Sequence, residues 1–275
     1  MKTKLHELLI IVRPSKFRSA NVMAALTLQS IALSQDVKCV LADLPQGFEA
    51  FLKQYEKVEE ALKMAIKLGL LYWPESIVKA YEPIVSCLSR LMRENVRVVC
   101  YLDSSDLERE RRLAFKISRL VLRALIKRVD NHDLSEWVQV LNEYAFGGRM
   151  TFNRLIYELE GINEPTVAIL AGLEGFQYAR KLESKQLNVR VEAVGLPYLR
   201  NPLEVMIIKH SRGELTVDEL KALVKEYADY VRNYVVRCES LEEAHERWSH
   251  DKAPWLKSLL VREEGGEGGL IMSYP

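Results

Sequence analysis

Apolar residues along this chain recur in two rhythms. Short apolar-rich runs occur at Leu8–Val12 (LLIIV), Val37–Ala42 (VKCVLA), Val96–Leu102 (VRVVCYL), Thr166–Ala171 (TVAILA) and Val189–Val194. Runs of this length and near-continuous apolarity suit strands buried on both faces of a parallel sheet. The stretches between them carry apolar residues at steps of three and four, the spacing of one helix face. Ser19 is placed to cap a helix reaching about Ser34. A long helical stretch is expected from Phe48 to Leu68, stopped by Gly69, and another from Pro74 and Ser76 to Asn95 with a kink at Pro83. Helical patterns at Leu134–Phe146 and Thr151–Glu160 are separated by Gly147-Gly148, and another follows Gly172–Gly175.

Strands alternating with helices predict an α/β fold with a mainly parallel sheet of about five strands. The crossover from Asp103 to Thr166 is about twice the ~30 residues of a plain βαβ unit. It predicts a helical insertion at 105–162 within an α/β domain spanning 1–199. Beyond Pro197 only helical patterns remain, with capping-box starts at Thr216–Glu219 and Ser240–Glu243. These predict a helical C-terminal extension over 200–275, closed by a glycine-rich tail (EEGGEGGLIMSYP) expected to be mobile.

Charge narrows the functional classes. With 39 Lys+Arg against 38 Asp+Glu, a uniformly basic binder is excluded, so a polyanion site has to arise from patterning. Cys39, Cys87, Cys100 and Cys238 form no CxxC, which argues against structural zinc, and Cys39 and Cys100 read as small buried apolar residues. No run approaches the ~20 apolar residues needed to cross a bilayer. A cytoplasmic protein without a resident cofactor or membrane partner is the expectation.

The pattern concentrates cations in one place. Arg109, Arg112, Lys116, Arg119, Arg123 and Lys127 follow at helical steps and share a narrow face beside apolar Leu113, Ile117, Leu120 and Val121. Cations spaced about one turn, ~5.4 Å, apart can follow nucleic-acid phosphates. The competing reading is a solvated face, with Glu108, Glu56, Glu59 and Glu60 as candidate neutralisers. A second constellation is Asp43, Asp103 and Glu174, each at the carboxyl end of an expected strand, where open α/β sheets place ligands. Converging carboxylates hold a hard cation or divide into acid and base. For Gly172-Leu173-Glu174-Gly175, a tight turn explains the glycines better than a phosphate cradle, because Glu174 repels an anion. His245 and His250 stand five apart, off the spacing that puts two imidazoles on one face; Glu246 and His250 are expected as surface neighbours. Trp248 and Trp255 are expected to pin the C-terminal helices to the body.

The order of pieces resembles the TraB/ChaN-like proteins, which include the Tiki proteases. LLIIVRPSKFRSANV followed by VKCVLADLP is similar to their opening strand, GxxH turn, helix and acid-ended strand. VRVVCYLDSSDLERERRLA resembles their later strand with its Asp and downstream Arg, at Asp103 and Arg112; VAILAGLEGFQYARKLESKQLNVRVEAV resembles their second GxxH turn, helix and last strand. The resemblance implies a metal-dependent hydrolase, with magnesium or another divalent ion near Asp43, Asp103 and Glu174. The chain departs from it at both turns: Val12-Arg13-Pro14-Ser15 and Gly172-Leu173-Glu174-Gly175 lack the histidines that would ligate metal. The expectation is therefore a non-catalytic protein that grips nucleic acid with the basic helix. A hydrolase of the resembled type and a subunit of a larger protein assembly are the alternatives.

Overall fold

The computed structural model describes residues 7–34 and 37–252. Five strands form its centre: β1 (Glu7–Val12), β2 (Cys39–Pro45), β3 (Arg97–Leu102), β4 (Thr166–Ala171) and β5 (Val189–Ala193). They make one all-parallel sheet in the order β3-β2-β4-β1-β5. The chain thus leaves β1 toward one edge for β2 and β3, then returns through β4 to β5 at the other. Such a reversal of direction marks where open α/β sheets bind ligands, at the strands' carboxyl ends.

Alternation along β1 shows why its run is continuously apolar. Leu9 and Ile11 enter the core on one face; Leu8, Ile10 and Val12 enter the core on the other. The first face is covered by α1 (Arg18–Ser34), α2 (Phe48–Gln54), α3 (Val58–Lys67) and α4 (Glu75–Arg93). The second is covered by the distal half of α6 (Asn131–Glu160) and by α7 (Gly175–Glu183). A third core joins α5 (Ser104–Ile126), the start of α6, α8 (Pro202–Arg212) and α9 (Val217–Asn233) around Trp137, Leu141, Met206 and Val224. The insertion and the C-terminal extension therefore share one core. α10 (Leu241–Lys252) follows a 3-10 turn at Val235–Arg237, and its Trp248 is buried against Tyr230. Trp255 and the glycine-rich tail lie outside the described residues.

Two expectations about helices are corrected. The stretch from Phe48 to Leu68 is two helices, broken where Tyr55 and Lys57 turn extended. The break lets Leu62 and Ala65 of α3 face the same core as Phe48 and Leu52 of α2. Gly147-Gly148 does not divide two helices, for α6 runs unbroken through both. Gly147 is buried where Arg109 of α5 crosses it: a Cβ there would lie 2.5 Å from the Arg109 Nε. The glycine serves close approach rather than helix termination. α4 likewise runs through Pro83 and ends before Asn95, which adopts φ 65°.

The paired glycines of α6 give a contrast that thermal unfolding can read. A Cβ at Gly148 meets nothing within 4 Å, so Gly148→Ala should stabilise by up to about 1 kcal/mol through helix propensity. Gly147→Ala has the same propensity gain but must displace the Arg109 guanidinium, and should be neutral or destabilising. Equal gains at both positions would contradict this account of the crossing.

Candidate functional site

Arg13 stands directly after β1, and its guanidinium is fully buried at the carboxyl edge. Its Nη2 donates to Asp43 Oδ1 at 2.9 Å, its Nε to Asn21 Oδ1 at 2.6 Å, and its Nη1 to the Ala171 carbonyl at 3.2 Å. One side chain thereby ties the ends of β1, β2 and β4 to α1. Asp43 is aimed here by an irregularity in β2, where the register with β3 slips between Ala42 and Pro45. Tyr81 of α4 completes the group, its hydroxyl donating to Asp43 Oδ2 at 3.4 Å. Burial lowers the tendency of Arg13 to hold its proton, but Asp43, Tyr81 and Tyr101 outweigh it, so the guanidinium shifts upward. Burial pushes the Asp43 carboxyl up, against the opposing pull of Arg13.

This network holds the turn between β1 and α1. Asn21 donates through Nδ2 to the Ser15 carbonyl at 2.7 Å and the Phe17 carbonyl at 2.9 Å. Lys16, between them, is fixed at its backbone while its side chain reaches solvent. Burial would lower the Lys16 ammonium, yet the fields of Glu110, Tyr144, Glu204 and Glu174 raise it overall. Among the described residues it makes no ion pair.

Glu174 sits opposite, in the turn after β4. Its Oε1 accepts from the Gly172 N–H at 2.9 Å, and the carboxylate folds over Gly172 so closely that a Cβ there would lie 2.5 Å from Oε2. A Cβ on Gly175 would meet Val12 Cγ2 at 2.8 Å. Both glycines thus serve close packing, and neither has a left-handed backbone. Glu174 also meets solvent while crowded by protein. Burial and then the charge of Asp43 raise its carboxyl, against backbone N–H bonds from Glu174 itself and Gly172. On the helical side of the sheet edge, Glu204 completes the α8 capping box with Asn201 and accepts from Tyr198 at 2.9 Å. Tyr198 stacks on His245 of α10 at 4.5 Å, and His245 Nε2 donates to the Leu199 carbonyl at 2.6 Å.

The three carboxylates singled out in the sequence do not form one cluster. Asp43 is buried against Arg13 and Glu174 stands exposed after the neighbouring strand β4, whereas Asp103 is the N-cap of α5, accepting from the Ser105 N–H at 2.8 Å. That hydrogen bond lowers the Asp103 carboxyl. As a ligand trio they fail: among the described residues, only Asp130, His132 and Asp133 bring three ligand atoms within 4.8 Å of one another. Lys127 already bridges Asp130 and Asp133 at 2.8 and 3.0 Å.

Five of the six cations lie on one face of α5 and Lys127 at its extended C-cap; that face borders α6, with Arg112, Arg119 and Lys127 still exposed to water. Arg109 pairs with Asp106 and Lys116 with Glu143; Arg119 reaches Glu136 at 2.9 Å, and Arg123 reaches Glu136 at 2.7 Å. Lys127 is held by Asp130 and Asp133. The neutralising carboxylates come from α6, from the α5–α6 turn and, for Arg109, from Asp106 in the first turn of α5 itself, not from Glu56, Glu59, Glu60 or Glu108 as expected. Arg112 alone of the six is exposed without an acidic partner among the described residues. His250 contacts Asp251 at 3.5 Å rather than Glu246. Cys39 behaves as a buried apolar residue, its thiol pushed up to about 12 by burial.

Sequence reasoning passed over Arg13, Lys16, Asn21 and Tyr81. The first two were accessible to it, since a cation placed directly after a run as apolar as LLIIV lands at the sheet's carboxyl edge. Nothing local in the sequence marks Asn21 or Tyr81, which are set by packing between α1, α4 and the strand ends.

Two outcomes follow for stability. Removing one partner of the buried pair leaves an uncompensated charge, so Arg13→Ala or Asp43→Ala should each cost about 3–5 kcal/mol in urea unfolding. The double variant Arg13→Met/Asp43→Leu should lose less than the sum of the single variants. Burial lowers the His245 pKa below its ordinary ~6.5. The unfolded chain then binds more protons than the folded one just below that value, so stability falls as pH drops through this window. Replacing His245 by Gln should flatten the dependence of melting temperature on pH between about 7 and 5.5.

Comparison with family models, curated proteins and solved structures finds no match to this chain.

Proposed function

We propose that this protein is an enzyme that transfers a proton on a small polar substrate at the carboxyl edge of the sheet, hydrolysis included. Glu174 is the acid–base group, and Lys16 anchors an anionic part of the substrate. The observation that carries this reading is the pair itself. Lys16 and Glu174 stand in the turns after β1 and β4, adjacent strands at the carboxyl edge, both exposed to solvent and forming no ion pair with each other. Most cations on α5 are tied to a carboxylate, so an ammonium left unpaired among carboxylates marks space for a ligand. Arg13, Asp43 and Asn21 act as positioning residues, because their polar atoms are engaged with one another and with the strand ends.

The resemblance to TraB/ChaN-like proteins supports the location, since it puts the two GxxH turns at the turns that carry Lys16 and Glu174. It does not supply the chemistry, because neither turn has the histidine. Polyanion binding through α5 retains Arg112 as its unpaired cation and is the reading to separate experimentally.

Turnover of p-nitrophenyl acetate and p-nitrophenyl phosphate provides the test. Glu174→Gln should lower kcat by about 10²–10⁴-fold with KM little changed. Lys16→Ala should raise KM for the phosphate ester more than tenfold. Activity that needs ionised Glu174 must fall as pH drops through its pKa. Because that pKa is raised, the acid limb should lie above the ordinary ~4.3 of a glutamate. A chain inert toward both esters that binds RNA or DNA at low salt, and loses that binding in Arg112→Glu, would sink the proposal in favour of the nucleic-acid reading.

A further inference from the structure

We infer that the outer face of the α5–α6 hairpin is an interface between two copies of this chain. At 3.6 residues per turn, Phe115, Leu122 and Ile126 lie on the side of α5 opposite its buried Leu113, Ile117 and Leu120. Phe115 is 73% and Ile126 84% exposed. On α6, Phe146, Met150 and Tyr157 likewise lie opposite the buried Trp137 and Leu155, all three at least 48% exposed. The contacts of Arg109 with Gly147, Lys116 with Glu143 and Arg123 with Glu136 fix an antiparallel register. They also place the charged seam between the two apolar rows, with both rows on the side away from the core.

In this register the rows join end to end. Ile126, Leu122 and Phe115 run along α5, Phe146 follows about one turn further, and Met150 and Tyr157 continue the line. At about 1.5 Å per residue the stripe is roughly 37 Å long, and two packed helices are about 20 Å wide. Polar positions included, the hairpin face around this stripe has a footprint of roughly 700 Å² per copy, the scale of the ~800 Å² per partner of a standard stable interface.

Charge chooses the occupant. A two-fold contact presents the same patch to itself, so a patch with one sign of charge repels its own copy. Here Lys116 pairs with Glu143, Arg119 and Arg123 share Glu136, and Asp133 stands 3.4 Å from Arg123, so along this seam Arg112 is left as the cation without an acidic partner among the described residues. For nucleic acid the same pairing is unfavourable, because the cations are already spent. A second copy of this chain meets both the apolar rows and the paired seam.

Sedimentation velocity of the full chain from about 1 to 100 µM tests the inference. The 31.7 kDa chain should sediment as a dimer at the upper end. Leu122→Glu and Phe115→Glu, both at exposed positions, should weaken association at least tenfold. Leu26→Glu, at an exposed apolar position on α1, should leave it unchanged. Hydroxyl-radical footprinting of the unaltered chain gives a readout that needs no variant: oxidation of Phe115, Phe146, Met150 and Tyr157 should fall as concentration rises, while that of Met23 on α1 does not. A monomer across the whole range overturns the inference, as does a dimer that survives both α5 variants or shows no concentration-dependent protection of these four side chains.

Discussion

The buried contact between Arg13 and Asp43 is the constraint on which the carboxyl edge depends. Two opposite charges withdrawn from water cost several kcal/mol each in solvation, and their attraction offsets this only when the remaining polar atoms are also satisfied. Here Asn21, the Ala171 carbonyl and Tyr81 take those remaining positions. Because each partner belongs to a different element, satisfying the guanidinium also fixes where β1, β2, β4, α1 and α4 stand relative to one another. The Lys16 turn inherits its position from that arrangement through Asn21, which holds the carbonyls on either side of it. A loop that carries a solvent-facing cation is thus held as firmly as the core beneath it.

Much of the fold was legible because strands buried on both faces leave an unmistakable pattern. LLIIV and TVAILA have no polar position to spare, since successive side chains enter opposite cores. The runs gave the strands to within a few residues, and the order of strands and helices gave the parallel class. What the pattern could not give was spatial order. Nothing in the sequence says that β4 inserts between β1 and β2, and that insertion is what sets Glu174 beside Lys16. Asp43 and Glu174 were identifiable as strand-end carboxylates, but Asp103 carries the same signature and is a helix cap. A strand end followed by a helix presents an acidic residue for either purpose, and only the third dimension distinguishes them.

The basic stripe shows the same limit from the other side. Periodicity correctly put five of the six cations on one face of α5, but a helical wheel cannot say what lies across from that face. The answer is α6, whose Glu136, Glu143 and Asp133 stand at matching steps. A related ambiguity affected Gly147-Gly148, which reads as a helix break in one dimension and is a close crossing in three. Both features concern one contact between helices separated by a short turn. With Gly147 taken as a break, α6 is too short to oppose the whole stripe.

Once that contact is in place, the distribution of charge over the molecule changes meaning. Along α5 and α6 the ionic groups neutralise one another and support an extended two-helix face with apolar rows on its outside. At the sheet edge the charged groups divide differently: Arg13 and Asp43 are paired and buried, while Lys16 and Glu174 are exposed and form no ion pair with each other. Direct ion pairs satisfy charges and fix structure, whereas charges held near each other but apart keep free energy of interaction available for a ligand. By that distinction the helix with the most cations has most of its charge engaged in structure, while the turn after β1 leaves a single lysine unpaired.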